Sequence, residues 1–303
     1  MVNLGLIGAG RWGRNYIRTL EALPGVRLAA VASRNPETQS LVGTDVQVLS
    51  KWETILNLGL DGLILAVPPT VQPPIALRAI EVGLPLLLEK PMALNPALAC
   101  EIAEQAKARN VYVAVNHIYL HHPAYIQLKR CLVESGEPIT AIRTHSGNHG
   151  PFRTNWNALW DWGPHDVAMA LDLTGGPAIV EQAQIKTHNS DQPGAGNYSL
   201  NLNLPNGVHA QLKFGNLMPQ RLRQLQVTTS VGKYVFDDEA ENCLTFRAPE
   251  KDIVLPVPEE RPLDNVLGAF ANQLRPRAGS NVHLGDAVMN IDLLAQAETA
   301  VAA

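Results

Sequence analysis

Residues 2–13 read Val2-Asn3-Leu4-Gly5-Leu6-Ile7-Gly8-Ala9-Gly10-Arg11-Trp12-Gly13, and the fold turns on them. Val2 to Ile7 is an apolar run of strand length, and a helical pattern follows the last glycine through Leu20. Gly8, Gly10 and Gly13 stand at G-x-G-x-x-G spacing. The first permits a tight turn, the second lets backbone approach a pyrophosphate, and the third allows close helix–strand packing, with the helix N-terminus facing the anion. Such spacing can also make a purely structural turn. Strand before and helix after favour dinucleotide binding, with Arg11 and Trp12 carried in the turn itself.

Working outward, apolar runs recur at 26–32, 46–49, 63–67, 85–88 and 111–115, separated by helix-like stretches. In one of these, Asn95 can cap a helix with Pro96 in its first turn and Leu98, Ile102 and Ala106 on one face. Continuous rather than alternating apolarity fits strands covered on both sides, so the first third is expected to be a doubly wound parallel sheet of Rossmann type. At the end of the second strand, where an NAD site would carry Asp or Glu, the chain has Ser33-Arg34. A hydroxyl and a guanidinium can hold a 2′-phosphate that a carboxylate would repel, which favours NADP(H) over NAD(H). The competing reading makes Arg34 an ordinary solvated loop residue and the cofactor NAD. Ala66 and Pro68 follow the fourth strand, and Glu89 and Lys90 the fifth, at the carboxyl ends where open α/β sheets bind ligands. Lys90 is one of only eight lysines, delivered there by an apolar strand and followed by Pro91.

The composition narrows the class. The 303 residues carry a formal charge of −4, and 17% are charged, below the roughly 25% of an average domain. Neither a nucleic-acid binder nor a disordered chain is indicated. Three separated cysteines (100, 131 and 243) suggest neither a disulfide framework nor a thiolate metal cage. The apolar start has no basic leader or cleavage site and is too short to span a membrane, so a cytoplasmic chain is expected.

From about residue 120 the pattern changes. Tyr198, Leu200, Leu202 and Leu204 alternate with polar residues, Pro205-Asn206-Gly207 turns the chain, and Val208, Ala210, Leu212 and Phe214 alternate again. Strand-like runs follow at 224–231, 234–236, 244–246 and 253–257, and a last helix presents Ala287, Val288, Ile291, Leu294 and Ala295. The expectation is a dinucleotide-binding domain over 1–119 and an α+β substrate and oligomerisation domain over 120–303, built on an open, mainly antiparallel sheet.

Asp161 and His165 lie four residues apart where a helical pattern begins, a spacing that sets two side chains on one face about 6 Å apart. A carboxylate beside an imidazole orients it and raises its basicity, as suits a base taking a hydroxyl proton. A capping Asp with a buried, hydrogen-bonded His is the plainer alternative. Six of nine histidines fall between 117 and 165, and His117, His121 and His122, or His145 and His149, have ligand-like spacing. No His-Glu-x-x-His or cysteine ligand accompanies them, and a polar sugar pocket accounts for the clustering, so no metal is assigned. Trp156, Trp160 and Trp162 precede or flank the Asp–His pair; an indole there can stack on a pyranose or a base, or simply fill a core.

Together, Gly-Ala-Gly-Arg-Trp-Gly at 8–13, Ala66-Val67-Pro68-Pro69-Thr70, Glu89-Lys90-Pro91, Val115-Asn116 before Pro123-Ala124-Tyr125, and Asp161-Trp162-Gly163-Pro164-His165-Asp166 resemble the glucose-fructose oxidoreductase, inositol dehydrogenase and MocA family. The segment 160–166 looks most like the versions in sugar and nucleotide-sugar dehydrogenases. The resemblance implies that Lys90 lies beside the nicotinamide and the reacting hydroxyl, that Asp161 and His165 form the catalytic pair, and that Asn116 belongs to the cofactor site. It implies His117, Trp162 and Asp166 as substrate contacts, a sugar-like substrate, and a homodimer or homotetramer. Gln72 and His117 depart from the family's usual His and Arg, at positions that tune substrate or cofactor contacts. Two rivals stay open: a reductase of an imine or tetrapyrrole on the same fold, and a non-catalytic dinucleotide-sensing regulator.

Overall fold

The computed structural model describes residues 1–275 and 284–302. In chain order the first elements are β1 (Val2–Ile7), α1 (Gly13–Ala22), β2 (Val26–Ala32), β3 (Gln47–Leu49), β4 (Gly62–Leu65), α2 (Gln72–Glu81), β5 (Leu86–Glu89), α3 (Pro96–Ala108) and β6 (Val113–Asn116). Next come α4 (Pro123–Ser135), β7 (Ile139–His149), α5 (Ala158–Thr174), β8 (Ile179–His188), β9 (Gly196–Asn203), β10 (His209–Gly215) and β11 (Leu217–Thr229). The chain ends with β12 (Lys233–Asp237), β13 (Leu244–Arg247), β14 (Asp252–Val254), α6 (Pro262–Gln273) and α7 (Gly285–Ala302). It forms two compact units, Met1–Asn116 with Arg261–Val288, and His117–Glu260 with Met289–Ala303. The change of unit thus falls after Asn116, against the boundary expected after 119, and the chain returns to its first unit for α6.

In the first unit six parallel strands run in the order β3-β2-β1-β4-β5-β6. The order reverses between β1 and β4, and that is where a doubly wound sheet opens a crevice at its carboxyl ends. Leu4, Leu6, Leu63, Ile64, Leu65, Leu86 and Leu88 are all fully buried, each such side chain contributing about 1.5–3 kcal/mol of burial. The apolar runs are continuous because both faces are covered. Asn95 caps α3 by accepting from the N–H groups of Ala97 (2.8 Å) and Leu98 (3.4 Å). The inward stripe of that helix is Ala99, Ile102 and Ala106. Leu98, expected on this stripe, is 37% exposed, because it sits one residue, and so about 100° of helical rotation, before it. On α6, Phe270 stacks with Tyr112 at 6.0 Å and lies where a side chain at Gly62 would go.

The second unit has an eight-stranded sheet in the order β14-β13-β12-β11-β7-β10-β9-β8. All its pairs are antiparallel except β7 with β10. The expected hairpin forms between β9 and β10, with Asn206 and Gly207 at φ 60° and 74° to turn the chain. Two strands, β7 and β8, are absent from the sequence reading. In β7 polar residues occupy both faces, including the buried Thr144 and Ser146, which hides the period of two. In β8 most side chains are exposed, Ile179 to 66%. Helix α5 packs on β7, β9 and β10. Its Gly163 is closely approached by Phe214 of β10 and Leu294 of α7, and the Asn290 amide donates to the Pro164 carbonyl at 2.8 Å.

Candidate active-site residues

In the first unit the glycine turn links β1 to α1. Gly8 adopts φ +100°, and a Cβ on it would run into the Ala66 carbonyl; one on Gly13 would run into the Gly8 carbonyl. Around Gly10, by contrast, nothing lies within 4 Å of a Cβ position. Arg11 is exposed, and Trp12, 38% exposed, offers α1 no side-chain cap. The first-turn N–H groups of α1 are therefore left without side-chain capping at an open position, as a pyrophosphate requires. Beyond β2, Ser33 accepts from the Asn35 N–H at 3.1 Å while its own N–H donates to the Leu49 carbonyl. Arg34 is exposed beside it. Ala66, half-buried, donates its N–H to the Ile7 carbonyl, and exposed Pro68 follows.

Glu89 and Lys90 come next in that crevice, at the end of β5. One carboxylate oxygen of Glu89 accepts from Trp12 Nε1 (2.5 Å), the Tyr16 hydroxyl (2.5 Å) and Asn116 Nδ2 (2.8 Å). Asn116 Nδ2 also donates to the Tyr16 hydroxyl at 2.7 Å. Burial pushes the Glu89 carboxyl up, opposed by hydrogen bonds from Tyr16 and Asn116 and by the Lys90 charge. Tyr16 is pushed well up by burial and by the neighbouring Glu89. Asn116 Oδ1 is buried without a hydrogen-bond partner. An open glycine, an uncapped helix start and a spare buried acceptor fit a dinucleotide. Sequence reasoning missed Tyr16; its signal is a tyrosine on the inner face of the helix that follows the glycine turn.

The second unit holds the proposed pair on α5. Asp161 is largely buried and meets Arg153 Nε at 3.4 Å. The Arg153 guanidinium in turn lies 5.6 Å from the Trp156 ring centre. His165 is half-buried and meets the Tyr119 ring edge-on, at 5.1 Å and 88°. His117 is buried just before the short 3-10 turn Ile118–His121 that carries Tyr119. Behind Tyr119 lies Arg223 of β11, 2% exposed, its guanidinium 4.1 Å from the Tyr119 ring centre and 5.5 Å from that of Trp162. Arg223 meets both carboxylate oxygens of the fully buried Asp166 at 3.4 Å, and Ser146 donates to Asp166 Oδ2 at 2.5 Å. Burial raises the Asp166 carboxyl, and Arg223 and Ser146 oppose that shift. Asp166 thus spends its carboxylate inside the unit. The three tryptophans divide: Trp160 is buried and donates to Glu298 at 2.9 Å, a core role, while the indole nitrogens of Trp156 and Trp162 are buried without a hydrogen-bond partner. Tyr119, Ser146, Arg153 and Arg223 were missed. Extending the 224–231 alternation back one residue would have pointed Arg223 inward, in phase with Leu225 and Val227.

A Rossmann sheet with an open glycine turn, followed by a second sheet on which an Asp–His helix packs, is the architecture of a two-domain dinucleotide-binding protein. Residues 2–117 match the oxidoreductase family with NAD-binding Rossmann fold, and residues 130–235 match the GFO/IDH/MocA C-terminal domain. The chain belongs to the GFO/IDH/MocA family. A solved structure described as an oxidoreductase from Magnetospirillum magnetotacticum MS-1 is 36% identical, covering 97% of this chain and 98% of that one at a TM-score of 0.86. Inositol 2-dehydrogenase 2 of Saccharopolyspora erythraea is 26% identical over 60% of this chain and 56% of its own length. UDP-N-acetylglucosamine 3-dehydrogenase of Acidithiobacillus ferrooxidans is 24% identical over 74% of this chain and 70% of its own. The matched stretch spans about half the length of the inositol dehydrogenases, 56% and 45% for the two from Saccharopolyspora erythraea. Among the described residues no helix is long and apolar enough to cross a membrane.

Proposed function

We propose that the chain is an NAD(P)-dependent dehydrogenase acting on a hydroxyl-bearing carbon of a sugar, nucleotide sugar or cyclitol. The observation that carries the reading is the hydrogen bond from Trp12 of the glycine turn to Glu89, which ties the dinucleotide turn to the residue next to Lys90. When bound, the nicotinamide supplies the hydride acceptor for oxidation or the donor for reduction. Gly8, Gly10 and Gly13 bring backbone to the pyrophosphate, with Arg11 at its edge. Ala66 and Pro68 line the cofactor, and Asn116 Oδ1 accepts from it. Ser33 and Arg34 take a 2′-phosphate, which makes NADP(H) the preferred form. In the oxidation direction His165 accepts the hydroxyl proton, Asp161 orients and charge-matches the imidazole, and Lys90 stabilises the developing alkoxide. His117 and Trp162 contact the substrate; Asp166, fully buried, serves through Arg223 instead of touching it. The protein works in the cytoplasm as a homodimer or homotetramer, without nucleic acid, membrane or metal.

The test is a panel of sugars, nucleotide sugars and inositols assayed with both dinucleotides. Turnover is expected with at least one member, with kcat falling about 10²- to 10⁴-fold in Lys90→Ala or His165→Ala while dinucleotide Kd holds. Full turnover in either variant removes that residue from the mechanism. A mild His165→Ala with an unsaturated acceptor points to an imine or tetrapyrrole reductase, and no turnover with any member points to a sensor. Arg34→Asp should shift the NADP/NAD ratio of kcat/KM toward NAD by about tenfold or more, a loss of ~1.4 kcal/mol in 2′-phosphate binding; an unchanged ratio makes Arg34 a bystander.

A further inference from the structure

Gln72 opens α2 directly after the Pro68-Pro69 turn, and its side chain is fully buried. Its amide nitrogen lies 2.7 Å from the Glu89 carbonyl oxygen, 3.1 Å from that of Pro91 and 3.4 Å from that of Met92. Its own carbonyl oxygen accepts from the Glu89 N–H at 3.1 Å. One carboxamide therefore engages the backbone on both sides of Lys90 and bonds Glu89 through both its N–H and its C=O. The Glu89 side chain is meanwhile held by Trp12, Tyr16 and Asn116. A buried primary amide is the one uncharged side-chain type that donates to several carbonyls and accepts from an N–H at the same point. Leucine would leave those backbone groups unpaired. A carboxylate in its place would face three carbonyl oxygens with no proton to give.

From this geometry we infer that Gln72 is the positioning residue for Lys90, acting on the turn that carries the lysine and not on substrate or cofactor. The inference rests on the reading of Lys90 as a catalytic group. It also revises what position 72 does: a side chain enclosed by backbone cannot tune a substrate contact directly, and a change there acts by moving the lysine. Displacing a catalytic group by an ångström can cost about 10²-fold in rate.

The test uses Gln72→Leu, the near-isosteric Gln72→Glu in case the first folds poorly, Lys90→Ala and the Gln72→Leu/Lys90→Ala double variant, all as full chains. Turnover and dinucleotide Kd are measured, and the lysines are ¹³C-methylated so that each amine is read by NMR. The expected result is a kcat loss of about 10- to 100-fold in either Gln72 variant, with dinucleotide Kd within about twofold of wild type, less than ~0.5 kcal/mol. The Lys90 resonance, identified by its absence in Lys90→Ala, is displaced while those of the other lysines stay in place. In the Lys90→Ala background Gln72→Leu costs nothing further, as coupled residues require. The inference is overturned if the Lys90 resonance does not move, or if Gln72→Leu lowers turnover equally with and without Lys90. Full turnover in Lys90→Ala together with a displaced Lys90 resonance sinks the catalytic reading of the lysine and leaves the positioning role of Gln72 established.

Discussion

Each unit holds a carboxylate next in sequence to a proposed catalytic residue, half-buried Glu89 in one and fully buried Asp166 in the other, and the two are compensated by opposite means. Glu89, before Lys90, is met by three neutral donors, Trp12, Tyr16 and Asn116. Asp166, after His165, is met by the Arg223 guanidinium and the Ser146 hydroxyl. Burial raises both carboxyls. Compensation by neutral dipoles adds no positive charge of its own, so the Glu89 charge is met by the adjacent Lys90. Compensation by a guanidinium brings the local charge to zero and leaves a flat cation to pack on rings. Arg223 does so against Tyr119 and Trp162, and Tyr119 in turn packs on His165. The first device sets a charge, and the second sets a shape.

The sharpest way to break the contrast is to remove the guanidinium. Arg223→Met strands a fully buried carboxylate and should cost about 3–5 kcal/mol of stability. Asp166→Leu added to Arg223→Met should recover most of that, since apolar replacement of a whole buried pair is often neutral. Urea unfolding of the three proteins reads this directly. A double variant no more stable than Arg223→Met would mean that the pair is not the unit of compensation.

The glycine turn gives a second, smaller test on the other side of the comparison. Gly8→Ala places a methyl group against the Ala66 carbonyl at a positive φ and should cost about 1–3 kcal/mol of stability. Gly10→Ala meets nothing within 4 Å, so stability should hold within about 0.5 kcal/mol. Its methyl group stands instead where the pyrophosphate comes close, and dinucleotide Kd should rise about tenfold or more, ~1.4 kcal/mol. Thermal melts with and without NADP separate the two glycines. Equal melting losses for both would show that the turn is built for packing alone.

How much of this was legible follows from the same contrast. The sheet of the first unit was readable, because strands covered on both faces write continuous apolar runs, and the glycines, Ala66, Glu89 and Lys90 sit where those runs stop; α6, which joins this unit from the far end of the chain, was not. The helix carrying Asp161 and His165 was readable from the apolar pattern of Val167, Ala168 and Leu171 that follows the pair. Arg223 was not, because a charged residue just outside the legible 224–231 run reads as surface until its inward phase with Leu225 and Val227 is noticed. Ser146 and Tyr119 were hidden for a related reason: their partners are far away in sequence, and neither lies in a periodic pattern. Gln72 stood out only as a departure from a family habit, and its four backbone partners belong to a turn that composition cannot show.

The last effect expected is a drift with pH, and its sign follows from the comparison. Glu89 has a carboxyl raised by burial, so in the pH range between its ordinary value, near 4.3, and the raised one, the folded chain binds more protons than the unfolded chain. Stability contributed by this group is then full below that ordinary value and is lost as pH rises through the folded one. Glu89→Gln keeps an oxygen that can accept from Trp12, Tyr16 and Asn116 and removes the titration. The variant should therefore gain on wild type as pH rises from 4 toward 8, although the exchange of carboxyl for amide sets its neutral hydrogen bonding back by a constant amount, about 1 kcal/mol. Asp238 provides the control with the opposite sign. His122 bonds it at 3.0 Å and holds its carboxyl below the usual range, so Asp238→Asn should close on wild type as pH falls toward 3. Denaturant midpoints for the three proteins across pH 3–8 give both slopes. If Glu89→Gln and wild type run parallel over the whole range, the carboxylate is not held in a buried setting, and the distinction between a charge-setting and a shape-setting device loses its first half.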